Sequence, residues 1–110
     1  MATKTVHVDL KDAGEPGEWA ELEDPRSYSQ RHFEQVVTEM QTARDDAEAA
    51  AKVFRDRISA WHLIDADTGA ALNDPKTDDL KGISVGITAA IGEKITELYE
   101  ATVPKASRKG

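Results

Sequence analysis

The sequence predicts a mainly α-helical fold with a small β-hairpin, in which the hairpin at the N-terminus precedes two antiparallel helices. The main observation is a long series of apolar residues spaced three and four apart, which is the periodicity of one helix face. The series comprises Phe33, Val36, Met40, Ala43, Ala47, Ala50, Phe54, Ile58 and Trp61. A second observation is a short stretch near the N-terminus in which apolar and polar residues alternate, as they do in a half-buried strand. We therefore expect one domain over residues 1–103.

The β-hairpin is expected at about residues 5–24. Apolar and polar residues alternate in residues 6–10 and again in residues 19–23. The segment between them contains Gly14, Pro16 and Gly17, which favour turns. Because two strands alone are marginally stable in water, the hairpin must lie on the helices or pair with a second copy of the chain.

Helix one is expected at about residues 28–63. Ser27, followed three residues later by Gln30, has the pattern of a capping box, and Ser29 is an alternative cap. Residues 47–52 are strongly helix-forming and leave a nearly smooth apolar side.

Helix two is expected at about residues 75–102, because Pro75 follows a possible cap and apolar residues again recur at helical spacing. Gly82, Gly86 and Gly92 interrupt this pattern. Either these glycines let helix two approach the Ala-rich part of helix one closely, or they weaken a helix that becomes ordered only on binding. Residues 104–110 are expected to form a flexible basic tail.

Two helices do not enclose a core, so we expect self-association or the binding of a partner helix in the groove between them. The predicted contact surface is drawn from both apolar stripes. It consists of Phe33, Val37, Met40, Phe54 and Ile58 on helix one and of Ile83, Ile87 and Ile91 on helix two.

The composition limits the classes of function. The formal net charge of −7, from 21 acidic and 14 basic residues, disfavours binding to nucleic acid. The absence of cysteine excludes disulfides and thiolate chemistry. The longest stretch poor in charge, residues 82–92, is too short to span a bilayer, and a cytoplasmic location is expected.

Candidate residues for catalysis or metal binding are few. His62, Asp65 and Asp67 form the one cluster of possible metal ligands, but aspartates at this spacing are more typical of a turn. The sequence contains no glycine-rich phosphate loop and no pairing of a nucleophile with a base. We therefore expect a protein that is not an enzyme and binds neither metal nor cofactor. Trp19 and Trp61 are expected to anchor the hairpin on the helices, and the alternative is that one of them is an exposed anchor for a partner.

Several short motifs carry a resemblance to a known family. Trp19 is followed by a strand and by Asp24-Pro25, and a serine- and arginine-bearing helix start comes next; Trp61-x-Leu63-x-Asp65 and Thr68-Gly69 follow later in the chain. Over residues 17–72 this pattern resembles small tail assembly chaperones of long-tailed, siphovirus-type phages that infect actinobacteria.

The resemblance implies a viral chaperone that coats the long, apolar, helical tape-measure protein and keeps it soluble until the tail tube polymerises around it. It also implies that a longer product can arise by a ribosomal frameshift near the end of this reading frame. Two alternatives remain at this point. One is a small structural phage protein such as a head-to-tail connector, and the other is a dimeric, antitoxin-like regulatory module.

Overall fold

The computed structural model describes residues 4–102, which form a four-stranded antiparallel sheet and three α-helices. The strands are β1 (Thr5–Asp9), β2 (Trp19–Glu23), β3 (Ile58–Ile64) and β4 (Ala71–Leu72), and they lie side by side in chain order. The helices are α1 (Gln30–Thr42), α2 (Ala47–Asp56) and α3 (Val85–Thr102). The predicted basic tail, residues 104–110, lies outside the described residues.

The prediction of a mainly α-helical fold with a small hairpin is wrong, and the domain is α+β with a four-stranded sheet. β1 and β2 do pair within residues 5–24, where Val6 lies opposite Leu22. However, β2 also pairs along its other edge with β3, where Ala20 lies opposite Trp61. The segment that contains Trp61 therefore continues the sheet and does not end a long helix.

A β-bulge between β2 and β3 explains why part of a strand had helical spacing. Ala20 pairs with Trp61 and Leu22 pairs with Ile58, so two steps along β2 correspond to three steps along β3. The extra residue in β3 turns Ile58 and Trp61 to the same, buried side of the sheet. Their separation of three residues thus comes from the bulge and not from a helical turn.

Helix one is also interrupted at Asp46. The backbone of Asp46 is extended, and its carboxylate accepts hydrogen bonds from the N–H groups of Glu48 and Ala49 at 3.0 and 3.2 Å. Asp46 is therefore the N-cap of a new helix, α2. At the start of α1 the cap is Ser29, whose hydroxyl accepts a hydrogen bond from the N–H of His32 at 3.1 Å.

α3 begins at Val85, later than the predicted start of helix two near residue 75. Before it, the carboxylate of Asp79 accepts a hydrogen bond from the N–H of Lys81 at 3.0 Å and holds a short 3-10 turn at Leu80–Gly82. The hydroxyl of Ser84 then accepts from the N–H of Ile87 at 3.3 Å, which is the bond expected of an N-cap. Side chains that bind backbone N–H groups thus keep this segment in turns.

A single hydrophobic core joins the sheet to the helices. It contains Leu10, Ala20, Leu22, Ile58, Trp61, Leu63 and Leu72 together with Val36, Ile83, Ile87, Ile91, Ile95 and Tyr99. Among the described residues, Val85 is the only large hydrophobic side chain that is exposed, at 87%. Most of the two apolar stripes is therefore covered within one chain, although Met40 and Phe54 stay half-buried. Self-association stays a prediction.

None of the helices within residues 4–102 combines the length and the apolar character that are needed to cross a membrane.

Candidate functional site

The structure divides the eight residues of the predicted contact surface into two groups. Ile58, Ile83, Ile87 and Ile91 are buried in the core. Phe33, Val37, Met40 and Phe54 are half-buried and pack against the outside of that core. Of these four, Met40 and Phe54 line an open groove, and Phe33 instead stacks on Tyr99 with ring centroids 5.5 Å apart.

This groove, which we call the helical groove, lies where α1 and α2 face α3. Its volume is about 220 Å³. The described residues that line it are Met40, Ala43, Arg44, Ala50, Val53, Phe54, Arg57, Gly92 and Ile95. Most of these side chains are apolar, so the groove offers apolar surface within an otherwise strongly acidic chain.

Small residues keep the helical groove open. Ala50 belongs to the alanine-rich first turns of α2, and Gly92 lies across from it on α3. A Cβ at Gly92 would meet no other atom of the described residues within 4 Å, apart from its neighbours along the helix. The sequence predicted that glycines of helix two would bring it into close contact with the Ala-rich part of helix one. At Gly92 the structure has open space instead.

The other two helix-two glycines pack against different partners. A Cβ at Gly86 would lie 3.1 Å from the backbone carbonyl oxygen of Ala13, in the loop between β1 and β2. A Cβ at Gly82 would collide with the carboxylate of Asp65. The missing side chain at Gly86 therefore lets α3 approach the loop between β1 and β2 closely. The missing side chain at Gly82, in the 3-10 turn before α3, leaves room for the carboxylate of Asp65.

Arg57 gives the helical groove its main electrostatic feature. Its side chain is only 8% exposed, and its Nε atom is buried without a hydrogen-bond partner among the described residues. The nearest carboxylate oxygen, Oε1 of Glu23, is 3.9 Å from Nε. That separation allows Coulomb attraction but is too long for a hydrogen bond.

Two tyrosines share this polar cluster. The hydroxyl of Tyr28 donates a hydrogen bond of 2.5 Å to the same Oε1 of Glu23, and the hydroxyl of Tyr99 donates to that of Tyr28 at 3.3 Å. Burial raises the pKa of Tyr28 above its ordinary value, and the bond to Glu23 raises it further. Burial also raises the pKa of Tyr99. Both hydroxyls are consequently neutral at neutral pH, and Glu23 is already engaged by Tyr28.

Sequence reasoning missed Arg57, and a recognisable signal could have located it. The pair Asp45-Asp46 lies in the middle of the apolar stripe, and an aspartate followed by Ala-Glu-Ala is a typical helix start. Beginning a new helix at this point would have placed Arg57 just after the end of that helix and directly before a β-branched, aromatic segment typical of a strand.

The three residues considered for metal binding make contacts with other groups of the chain. The carboxylate of Asp65 accepts hydrogen bonds from the N–H groups of Asp67 and Thr68 at 2.8 and 3.1 Å. Nδ1 of His62 instead lies 2.7 Å from Oδ1 of Asn73. Within residues 4–102, no group of three or more histidine, aspartate or glutamate side chains is placed to hold a metal ion.

A wider depression of about 570 Å³ lies on the exposed side of α1. The described residues that line it are Glu34, Gln35, Thr38 and Glu39. All four are polar and belong to a single helix, so none of the described residues places an apolar side chain in this depression. We therefore regard the helical groove, which three elements enclose, as the candidate site.

Comparison with models of protein families, with curated proteins and with solved structures finds no match to this chain.

Proposed function

We propose that this chain is a small tail assembly chaperone of a long-tailed phage, and that it holds an apolar helical segment of the tape-measure protein in the helical groove. The observation that carries the proposal is the groove itself, which is lined by the half-buried side chains of Met40, Val53 and Phe54 between helices of an acidic protein. A groove of this kind suits the apolar face of an amphipathic helix.

The size of the helical groove favours a protein partner over a small molecule. Pockets for small organic ligands usually have volumes of about 300–1,000 Å³, and the groove has about 220 Å³. That volume suits one or two large apolar side chains that project from a partner helix. The rest of such a helix would lie along α2 and α3.

The motifs that carry the family resemblance form turns at the ends of the strands. The carboxylate of Asp24 accepts a hydrogen bond from the N–H of Arg26 and caps the 3-10 turn that follows β2. Asp65 and Gly69, whose φ is +77°, shape the turn between β3 and β4. These residues fix the sheet, so we expect partner selection to depend on the groove residues of α1, α2 and α3.

The charge of the chain fits a role in keeping an apolar protein in solution. The formal net charge is −7. Bound copies would add negative charge to a tape-measure segment that is itself apolar, and like-charge repulsion between coated segments would oppose aggregation. Assembly of the tail tube could then displace the chaperone copies.

The proposal is tested with a fragment of the tape-measure protein from the same genome. Gly92→Leu should fill the helical groove, and Ala89→Leu, on the exposed side of α3, is the matched control. We expect wild type and Ala89→Leu to keep the fragment soluble and to co-elute with it in size-exclusion chromatography. Gly92→Leu should fail in both assays while its circular dichroism remains that of the wild type.

Two results would contradict the proposal. One is equal retention of the fragment by a folded Gly92→Leu protein, because the groove would then be unnecessary. The other is a failure of wild type to form a complex with the fragment under any salt condition. A discrete ring of copies, measured by light scattering, would instead support the head-to-tail connector.

A further inference from the structure

Arg57, which lines the helical groove, has an incompletely paired guanidinium, and the inference drawn from it rests on the proposed function. Buried charged groups in folded proteins are normally both ion-paired and hydrogen-bonded. Arg57 is more than nine-tenths buried, yet its Nε lacks a hydrogen-bond partner within residues 4–102. The Nε atom is enclosed on the side of Glu23, and the Arg57 residue also forms part of the lining of the groove.

The surroundings of Arg57 hold it in this position. Its backbone carbonyl accepts a hydrogen bond of 2.9 Å from the N–H of Glu23, which ties the residue to the end of β2. Glu23 lies 3.9 Å from Nε, and its Oε1 already accepts the hydroxyl of Tyr28. The chain itself therefore supplies charge compensation for Arg57 but leaves its hydrogen bonding incomplete.

The charge of the groove differs in sign from that of the whole chain. Among the described residues that line it, Arg44 and Arg57 are the only charged ones. Glu23, with the neutral hydroxyls of Tyr28 and Tyr99, forms the polar cluster beside Arg57. A negatively charged group that enters the groove would meet two guanidinium groups on a protein whose net charge is −7.

We infer that the segment bound in the helical groove is an amphipathic helix that carries a carboxylate beside a large apolar side chain, and that Arg57 binds this carboxylate. A guanidinium has a planar fork of N–H donors that matches a carboxylate better than a lysine ammonium does. A glutamate placed three or four residues from a leucine lies on the same helix face, so both could enter the groove together.

The basic end of this chain is a poor candidate for the same place. Residues 104–110 contain Lys105, Arg108 and Lys109 and no acidic residue. Their charge has the same sign as that of Arg44 and Arg57, so the groove would repel them. Charge complementarity therefore favours an acidic segment of another protein.

The test uses two synthetic amphipathic helical peptides that share a leucine face and differ only by glutamate or glutamine four residues from the central leucine. Binding to the full-length protein is measured by fluorescence anisotropy of the labelled peptides. We expect the glutamate peptide to bind about ten-fold more tightly, since a charge-assisted hydrogen bond is added. Arg57→Gln should remove this preference, so that the glutamate and glutamine peptides bind with similar affinity. Arg44→Gln, at an exposed position on the same groove, should reduce the preference only slightly.

The outcomes separate this inference from the proposed function. Equal binding of the two peptides by wild type, abolished by Gly92→Leu, would overturn the role of the carboxylate and leave the apolar groove intact. Binding of neither peptide would overturn both. If Arg57→Gln does not fold, the comparison of the two peptides on wild type still decides, and Arg57→Lys provides a folded test of the planar fork. Occupation of the groove by a second copy, seen as dimers that Gly92→Leu dissociates, would also overturn the inference.

Discussion

The indole Nε1 of Trp61 donates a hydrogen bond of 2.9 Å to Oδ2 of Asp78. The same oxygen accepts the N–H of Asp74 at 2.7 Å, so one carboxylate ties the centre of β3 to the segment that precedes α3. Arg55 fastens the other side of this segment, because its guanidinium donates to the carbonyl oxygens of Pro75 and Asp78 at 3.0 and 2.7 Å. Trp61 is thus an internal anchor, but it acts from strand β3 and not from the end of a long helix, where the sequence predicted it.

Trp61→Phe should lower the free energy of unfolding by about 2 kcal/mol, because it leaves part of a buried site empty and removes a hydrogen bond from Asp78. The matched variant is Trp19→Phe. Trp19 is only half-buried, and its ring lies beside that of His7 with centroids 5.4 Å apart. Urea unfolding followed by circular dichroism measures both variants. A loss at Trp19 as large as that at Trp61 would contradict this assignment of the anchor.

Replacing glycines near and within α3 should have opposite effects at two positions. Gly92→Ala should raise the free energy of unfolding by about 0.5–1 kcal/mol, because alanine is the better helix former and the groove has room for its methyl group. Gly82→Ala should lower it, because the new Cβ would displace the carboxylate of Asp65 from the turn between β3 and β4. Thermal unfolding of the two variants tests both signs. Destabilisation by Gly92→Ala would mean that the groove is closed in solution.

Aspartate at two residues of the predicted contact surface should have different consequences. Ile87 is 2% exposed, so Ile87→Asp would bury a charge in the core and should cost about 4 kcal/mol or more. Met40 is half-buried at the open groove, and Met40→Asp should leave the chain folded while abolishing peptide binding. Circular dichroism and anisotropy measure the two effects separately. A fully folded Ile87→Asp protein would contradict the described core.

The two tyrosines should make the chain sensitive to alkali. The folded state holds the pKa of Tyr28 and of Tyr99 above the ordinary value of 10.0, chiefly through burial. Their contribution to stability is therefore complete below about pH 10, and it is lost as the pH rises from there toward the raised pKa values, because the unfolded state ionises first.

The chain contains only two tyrosines, so ultraviolet absorbance of tyrosinate reports on this pair alone. We expect the absorbance to rise only together with unfolding, at a pH above the ordinary tyrosine range. In Tyr28→Phe the signal should halve. Ionisation near pH 10 in a protein whose circular dichroism is still native would contradict the buried cluster.

Local patterns predicted part of the fold, and pairing between distant segments determined the rest. Alternation in residues 6–10 and 19–23 is a local signal, and β1 and β2 pair there. The spacing of Ile58 and Trp61 predicts a helix because a bulge gives this strand helical spacing, and only the pairing with Leu22 and Ala20 reveals that bulge.

The candidate site was predictable to a similar degree. Met40 and Phe54 follow from the apolar stripe, and both line the groove. Periodicity does not distinguish them from Ile87 and Ile91, which have the same apolar character but are buried in the core. Arg57 has no apolar signal at all, because its position depends on where α2 ends and β3 begins.

The pairing of Leu22 with Ile58 brings together the points at which the chain leaves the sheet after β2 and returns to it at β3. The backbone N–H of Glu23 donates a hydrogen bond of 2.9 Å to the backbone carbonyl of Arg57 and closes the same junction. α1 and α2 are in this respect an insertion with fixed ends. Doubling the length of such a loop adds only about 0.6 kcal/mol of closure entropy. Lengthening or shortening this insertion would therefore reshape one wall of the groove while the strands keep their register, so related chains could acquire new partners without a new scaffold.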